Sequence, residues 1–80
     1  MQTLFVQVKC ELGKSYEVAA VAVEEINEVS EVHSTSGNYD LMLTCYLEDS
    51  IDIGRFVNEK IQTIPGIRDT YTIIALKAFS

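Results

Sequence analysis

Basic residues are scarce in this sequence and never adjacent. Six Lys and Arg stand against twelve Asp and Glu, for a formal net charge of −6. Lys9, Lys14, Arg55, Lys60, Arg68 and Lys77 are scattered singly. Nucleic-acid binding draws on clustered cations that displace phosphate counterions. No direct contact with nucleic acid is therefore expected, and the same deficit argues against an anionic membrane surface. Long hydrophobic runs are missing too: none approaches the roughly 18 residues that a membrane span needs. Met1 and Gln2 lead straight into an alternating segment instead of a signal peptide. Cysteine occurs twice, as Cys10 and Cys45, and histidine once, as His33. A lone histidine does not make a metal site without other ligands at suitable spacing. There is no phosphate loop, no dinucleotide glycine motif and no CxxC. The expectation is a cytoplasmic protein with reduced thiols, no cofactor, no metal, no catalytic residue and no enzymatic activity.

What the sequence does hold is apolar. Hydrophobic residues make up 48% of 80, enough for one domain spanning residues 1–80. A chain of this length buries only about 60–65% of the surface that its unfolded form exposes. Apolar surface is left over once the core is full, and self-association is the usual way to cover it.

Two periodicities alternate along the chain. Residues 3–10 place Leu4, Val6, Val8 and Cys10 on one face and Thr3, Phe5, Gln7 and Lys9 on the other, the period of a strand. Residues 14–28 repeat Val18, Ala22 and Ile26 at helical spacing with glutamates off the stripe, predicting an amphipathic helix with an acidic outer side. A polar strand over 30–36 and the Gly37-Asn38 turn signal follow. Residues 40–47 alternate again. Asp49-Ser50 offers an N-cap for a second helix with Ile53, Val57 and Ile61 on its buried stripe, ended by Pro65-Gly66. Residues 67–78 read as a long final strand. Asp49 and Asp52 suit a helix start and its dipole more than paired acid–base work.

The order β-α-β-β-α-β is also an internal repeat. At an offset of 35 positions Val6 meets Leu41, Cys10 meets Cys45, Leu12 meets Leu47, Val18 meets Ile53 and Ala22 meets Val57. Two matching β-α-β halves predict an α+β, ferredoxin-like sandwich with antiparallel sheet order 4-1-3-2. The two cysteines then sit toward opposite ends of the sheet. That is too far apart for a bridge, which needs Cα atoms within about 7 Å. If Leu4, Val6, Val8, Leu41 and Leu43 meet the helices, then Phe5, Met42, Thr44 and Tyr46 point away from them. A bare apolar face of that kind predicts a two-fold dimer packed sheet to sheet, a dimeric α+β barrel.

Two segments resemble a known family. Residues 32–43, VHSTSGNYDLML, are similar to the strand-turn-strand of the Lrp/AsnC effector-binding domain, with its Gly, polar, aromatic, Asp and apolar signature. Residues 65–77, PGIRDTYTIIALK, resemble that family's last strand, which opens Pro-Gly and carries Asp-Thr-any-Thr. The resemblance implies a non-catalytic module that senses an amino acid or similar small metabolite and assembles as dimers in a higher, octamer-like ring. No helical segment with a basic face precedes the first strand. It therefore implies the sensing and assembly half of a transcriptional regulator without its helix-turn-helix, with mixed assembly on full-length relatives as a plausible role.

Carried onto this chain, the family's effector pocket implicates Gly37, Asn38, Tyr39 and Asp40, with Thr70 and Thr72 as hydroxyl donors. The chemistry suits an amino acid. A glycine permits a positive φ and close backbone approach, turn N–H groups can hold a carboxylate, and Asp40 can pair with an ammonium. Each residue also has a plainer role: Gly37-Asn38 as a hairpin turn, Asp40 as the cap of that turn, Tyr39 as dimer packing, Thr70 and Thr72 as strand residues. Two other functions stay open. One is a small dimeric α+β-barrel enzyme, using Gln7, Thr44, Tyr46 and His33 on the open face. The other is an assembly domain without a ligand.

Overall fold

Alternation decides which side of each strand is buried. In the computed structural model, which describes all 80 residues, strand β1 (Gln2–Cys10) buries Leu4, Val6, Val8 and Cys10. Strand β3 (Leu41–Leu47) buries Leu41, Leu43, Cys45 and Leu47 in the same rhythm. The two pair antiparallel at the centre of the sheet, with Val6 opposite Leu43 and Val8 opposite Leu41. Strand β2 (Val29–Ser34) flanks β3, and β4 (Ile67–Ile74) flanks β1. The sheet order β2-β3-β1-β4 is the expected 4-1-3-2 order read from the other edge. Every neighbouring pair is antiparallel, as a ferredoxin-like sandwich requires.

Both helical segments lie on one face. Helix α1 (Ser15–Glu25) sends Val18 and Ala22 into the core. The second segment starts as a short helix α2 (Ile53–Phe56) and widens into a π-helical turn over Val57–Ile61. The Gln62 amide closes that turn on the Val57 carbonyl at 2.8 Å. Phe56, Val57, Ile61 and Ile64 join the strand residues in one cluster of 15 buried side chains. Cys45 lies opposite Leu4, so Cys10, six positions further along β1, is about 20 Å away at the rise of a strand. Both thiols are free and buried.

Four expectations need correcting. The second helix is capped by Asp52, whose Oδ1 accepts the Arg55 amide at 3.0 Å, not by Asp49-Ser50. A turn closes first there, from the Ile51 amide to the Glu48 carbonyl, and the Asp49 carboxylate pairs with the N-terminal ammonium at 2.7 Å. Helix α1 is shorter than 14–28, and its outer side is not simply acidic. Tyr16 is 80% exposed and Val23 63%, because apolar residues occur all round this helix. The repeat breaks at Leu12, 95% exposed where its counterpart Leu47 is fully buried. The last strand stops at Ile74; only the Ala75 amide, bonded to the Thr3 carbonyl at 3.0 Å, prolongs its ladder. Residues 75–80 take no regular structure beyond that bond, where β4 has reached the first residues of β1.

Candidate functional site

The turn between β2 and β3 is held by main-chain bonds before any side chain is considered. The Thr35 amide donates to the Asp40 carbonyl at 2.9 Å, and the Asp40 amide donates to the Val8 carbonyl at 2.8 Å. Residues 35–40 thus form a closed loop anchored across β1. Gly37 takes φ +99°, and a Cβ there would meet nothing within 4 Å. Glycine is needed for the backbone turn and not for lack of space. The Asn38 carbonyl accepts Lys9 Nζ at 3.0 Å, and Thr35 Oγ1 donates to the Tyr39 carbonyl at 3.0 Å. The Tyr39 ring reaches Tyr71 on β4, with centroids 6.3 Å apart and planes tilted by 33°.

Asp40 has a structural partner. Its Oδ2 accepts the Cys10 amide at 2.7 Å. The even residues of β1 turn their main-chain groups toward β3, as the Val8 carbonyl does to the Asp40 amide, and the β1–β3 ladder ends with Val8 opposite Leu41, which leaves the Cys10 amide without a ladder partner. The carboxylate takes that amide, which buried backbone cannot leave unpaired. The carboxylate of Asp40 does not cap its own turn, as the plainer reading had it; it bonds to β1 instead. Oδ1 takes no part in this bond. Burial, then the Asp40 charge, pushes the Cys10 thiol up; burial, then Glu28, pushes the Cys45 thiol up to about 11.

Thr70 and Thr72 lie elsewhere. They stand opposite Val8 and Val6, both fully buried under the helices, so they project from the helix side of the sheet. Tyr71, opposite Gln7, projects from the open side with Tyr39. Gln62 Nε2 donates to Thr70 Oγ1 at 2.8 Å. Thr72 borders a cleft of about 480 Å³ between the second helical segment and β4, with Asn58 and Gln62 as its other polar residues. Thr70 borders a smaller one of about 230 Å³ with Arg68 and Asp69. The structure therefore gathers Gly37, Asn38, Tyr39 and Asp40 into one group and Thr70 and Thr72 into another, on opposite faces. Asp40 and Thr70 flank Val8 across β1, about 10 Å apart at two strand spacings.

Sequence reasoning missed Lys9, Tyr71, Asn58 and Gln62. Tyr71 was legible, since alternation from Thr70 puts it on the open face. Asn58 and Gln62 were not, because the π-helical turn sets which way they face. On the open face, Gln7 and His33 lie opposite Met42, Thr44 opposite Phe5 and Tyr46 opposite Thr3, so all four polar candidates share that side. Tyr46, Tyr71 and Ile73 are 45%, 56% and 39% exposed there. No helix is long and apolar enough to cross a membrane.

The family model described as the Lrp/AsnC ligand binding domain matches residues 3–80. The chain belongs to that family. The Lrp/AsnC-type domain is 36% identical over 73 residues to the HTH-type transcriptional regulator FL11 of Pyrococcus abyssi, covering 91% of this chain and 47% of that protein. It is 26% identical over 76 residues to the leucine-responsive regulatory protein of Escherichia coli K12, covering 92% of this chain and 46% of that protein. It spans about half the length of the curated relatives that it matches. Among solved structures, FFRP-DM1 superposes with a TM-score of 0.87 at 33% identity, over 95% of this chain and 100% of that one. The relatives are transcriptional regulators by name, which makes this domain the ligand-binding type of module found in regulators.

Proposed function

We propose that this Lrp/AsnC-type domain is a non-catalytic, cytoplasmic module that binds an amino acid and passes its bound state on through self-assembly. The observation that carries the reading is the uncovered sheet face. Phe5, Met42, Tyr46, Tyr71 and Ile73 lie on it, and the 35–40 loop stands at its rim through Tyr39. A second sheet packed on that face makes a dimer, and further contacts between dimers build a ring of octamer type. A ligand shared between dimers then acts by preferring one assembly state. Relatives support the ligand class: one is named for its response to leucine. Full-length relatives with a DNA-binding part are the proposed readers of this state, through mixed assembly. Gly37 and Asn38 offer backbone groups, Asp40 Oδ1 an acceptor for an ammonium and Tyr39 an aromatic wall, while Thr70 and Thr72, on the other face, offer hydroxyls only to a ligand held from a neighbouring copy.

The test is a thermal-shift screen against the twenty amino acids, with molar mass measured by light scattering in parallel. A ligand at one hundred times its dissociation constant stabilises the fold by about 2.7 kcal/mol. A shift with one or a few amino acids and a mass of a dimer or a multiple of it is the expected result. A flat screen overturns the sensing part, and a monomer at all concentrations overturns the assembly part.

A further inference from the structure

Helix α1 carries an apolar stripe on the side that faces away from the sheet. Tyr16, Ala20 and Val23 are all exposed, and their spacing of four and three residues sets them one above another on a helix surface. The core-facing Val18 and Ala22 lie on the other side of the same helix. Leu12, in the turn that leads into the helix, is exposed as well. Helix formation does not ask for these side chains, since tyrosine and valine are weaker helix formers than glutamate, lysine or glutamine. Glu17 and Glu24 follow Tyr16 and Val23 by one position each, so both run along the same flank of the stripe. The charges of the helical layer are unevenly spent. Lys14 pairs with Glu17 at 3.3 Å, Arg55 with Glu59 at 3.0 Å and Lys60 with Glu28 at 3.2 Å. These are the only Lys and Arg between residues 11 and 66, so the layer keeps no free cation. Glu24 and its neighbour Glu25 make no ion pair.

A second copy of this chain brings no counter-charge to the stripe. Two α1 helices paired antiparallel about a two-fold axis set one glutamate row beside the other, and like charges across an interface are costly. A partner that fits has apolar side chains for the stripe and cations for its flank. We propose that the outer face of α1 is a docking surface for a cationic amphipathic helix of a partner protein. The partner's apolar side chains cover Tyr16, Ala20 and Val23 in the spacing that helix recognition uses, and its Lys or Arg side chains stand beside Glu17 and Glu24. Helix α1 has 11 residues, about 16 Å at the rise of an α-helix. A contact of that length belongs to the small interfaces of transient partners. The open sheet face lies on the other side of the sheet from α1, so this docking leaves self-assembly through that face undisturbed and does not depend on the amino-acid reading.

Fluorescence anisotropy on the 80-residue chain tests this with a labelled peptide of about 18 residues, long enough to hold a helix. The probe is built of leucine and lysine alone, with leucine on one face; the counter-probe has glutamate in place of lysine. The leucine–lysine peptide is expected to bind at least about tenfold more tightly than the leucine–glutamate one, and added salt weakens it by screening the glutamates. Tyr16→Ser with Val23→Ser, both at exposed positions, keeps the circular dichroism spectrum and loses about tenfold in affinity for the leucine–lysine peptide. Glu17→Gln with Glu24→Gln loses less and flattens the salt dependence. Equal binding of the two peptides, or no binding of either, overturns the partner's chemistry. Full affinity in the variant of Tyr16 and Val23 places the peptide elsewhere and overturns the site. If that variant instead lowers the molar mass of the chain alone, a second copy covers the stripe and the proposal fails.

Discussion

Replacing Asp40 with alanine tests whether the loop is held by its carboxylate or only by its backbone. The perturbation removes one bond of 2.7 Å between a charged acceptor and the Cys10 amide. A hydrogen bond to a charged group contributes about 1.5–3 kcal/mol, and the amide left behind at the end of the β1–β3 ladder has its own desolvation cost. We take about 2 kcal/mol as the central expectation. In a domain of this length each kcal/mol moves the melting temperature by about 4–8 °C, so Asp40→Ala melts about 8–16 °C lower. Asp40→Asn keeps an oxygen acceptor of the same reach and loses only the charge assistance, so it falls between the two. The assay is thermal unfolding by circular dichroism at fixed protein concentration, because assembly couples to stability. No amino acid is added. If Asp40→Ala melts within about 2 °C of the unaltered chain, the carboxylate does not hold β1, and the structural account of Asp40 is wrong. If it melts low as expected, loss of ligand binding in this variant no longer proves direct contact, and Asp40→Asn becomes the informative probe.

Other predictions follow from the same geometry. Gly37→Ala meets open space but a φ of +99°, so it costs about 1–2 kcal/mol of backbone strain. Gly66→Ala has φ +100° and brings its Cβ within 3.1 Å of Val18 and 3.2 Å of Lys14, so urea titration shows a larger loss than for Gly37→Ala. The Cys45 thiol, raised from 9.0 to about 11, ionises more readily in the unfolded chain. Its contribution is complete below pH 9 and is lost as pH rises toward 11, by about 3 kcal/mol for a shift of that size. Cys45→Ala is expected to show a flatter stability curve across that window. Tyr71→Glu and Ile73→Glu put charge on the open face, and ultracentrifugation then shows a lighter species with an unchanged circular dichroism spectrum.

Much of this protein was decided by local pattern. Leu4, Val6 and Val8 against Leu41, Leu43 and Cys45 specify both central strands and which face meets the helices, because a strand's side chains alternate and a one-residue slip would invert the core. The 35-residue repeat specified the topology, since each half is one β-α-β unit. Gly37 was legible as a turn because only glycine takes that φ readily. The remainder depended on contacts between distant residues. The partner of Asp40 is an amide 30 positions away, left open where the β1–β3 ladder ends. Thr70 and Thr72 are neighbours of Asp40 in the motif logic of the sequence, yet the pleat points them to the opposite face from Tyr39. The cap moved to Asp52 because a turn and the chain's own N-terminus claimed the residues before it. Where Asn58 and Gln62 face was set by one π-helical turn, whose extra residue shifts everything after it. Alternation and period are properties of the chain and can be read along it, whereas register shifts, bulges and shared clefts exist only once the strands and helices have met.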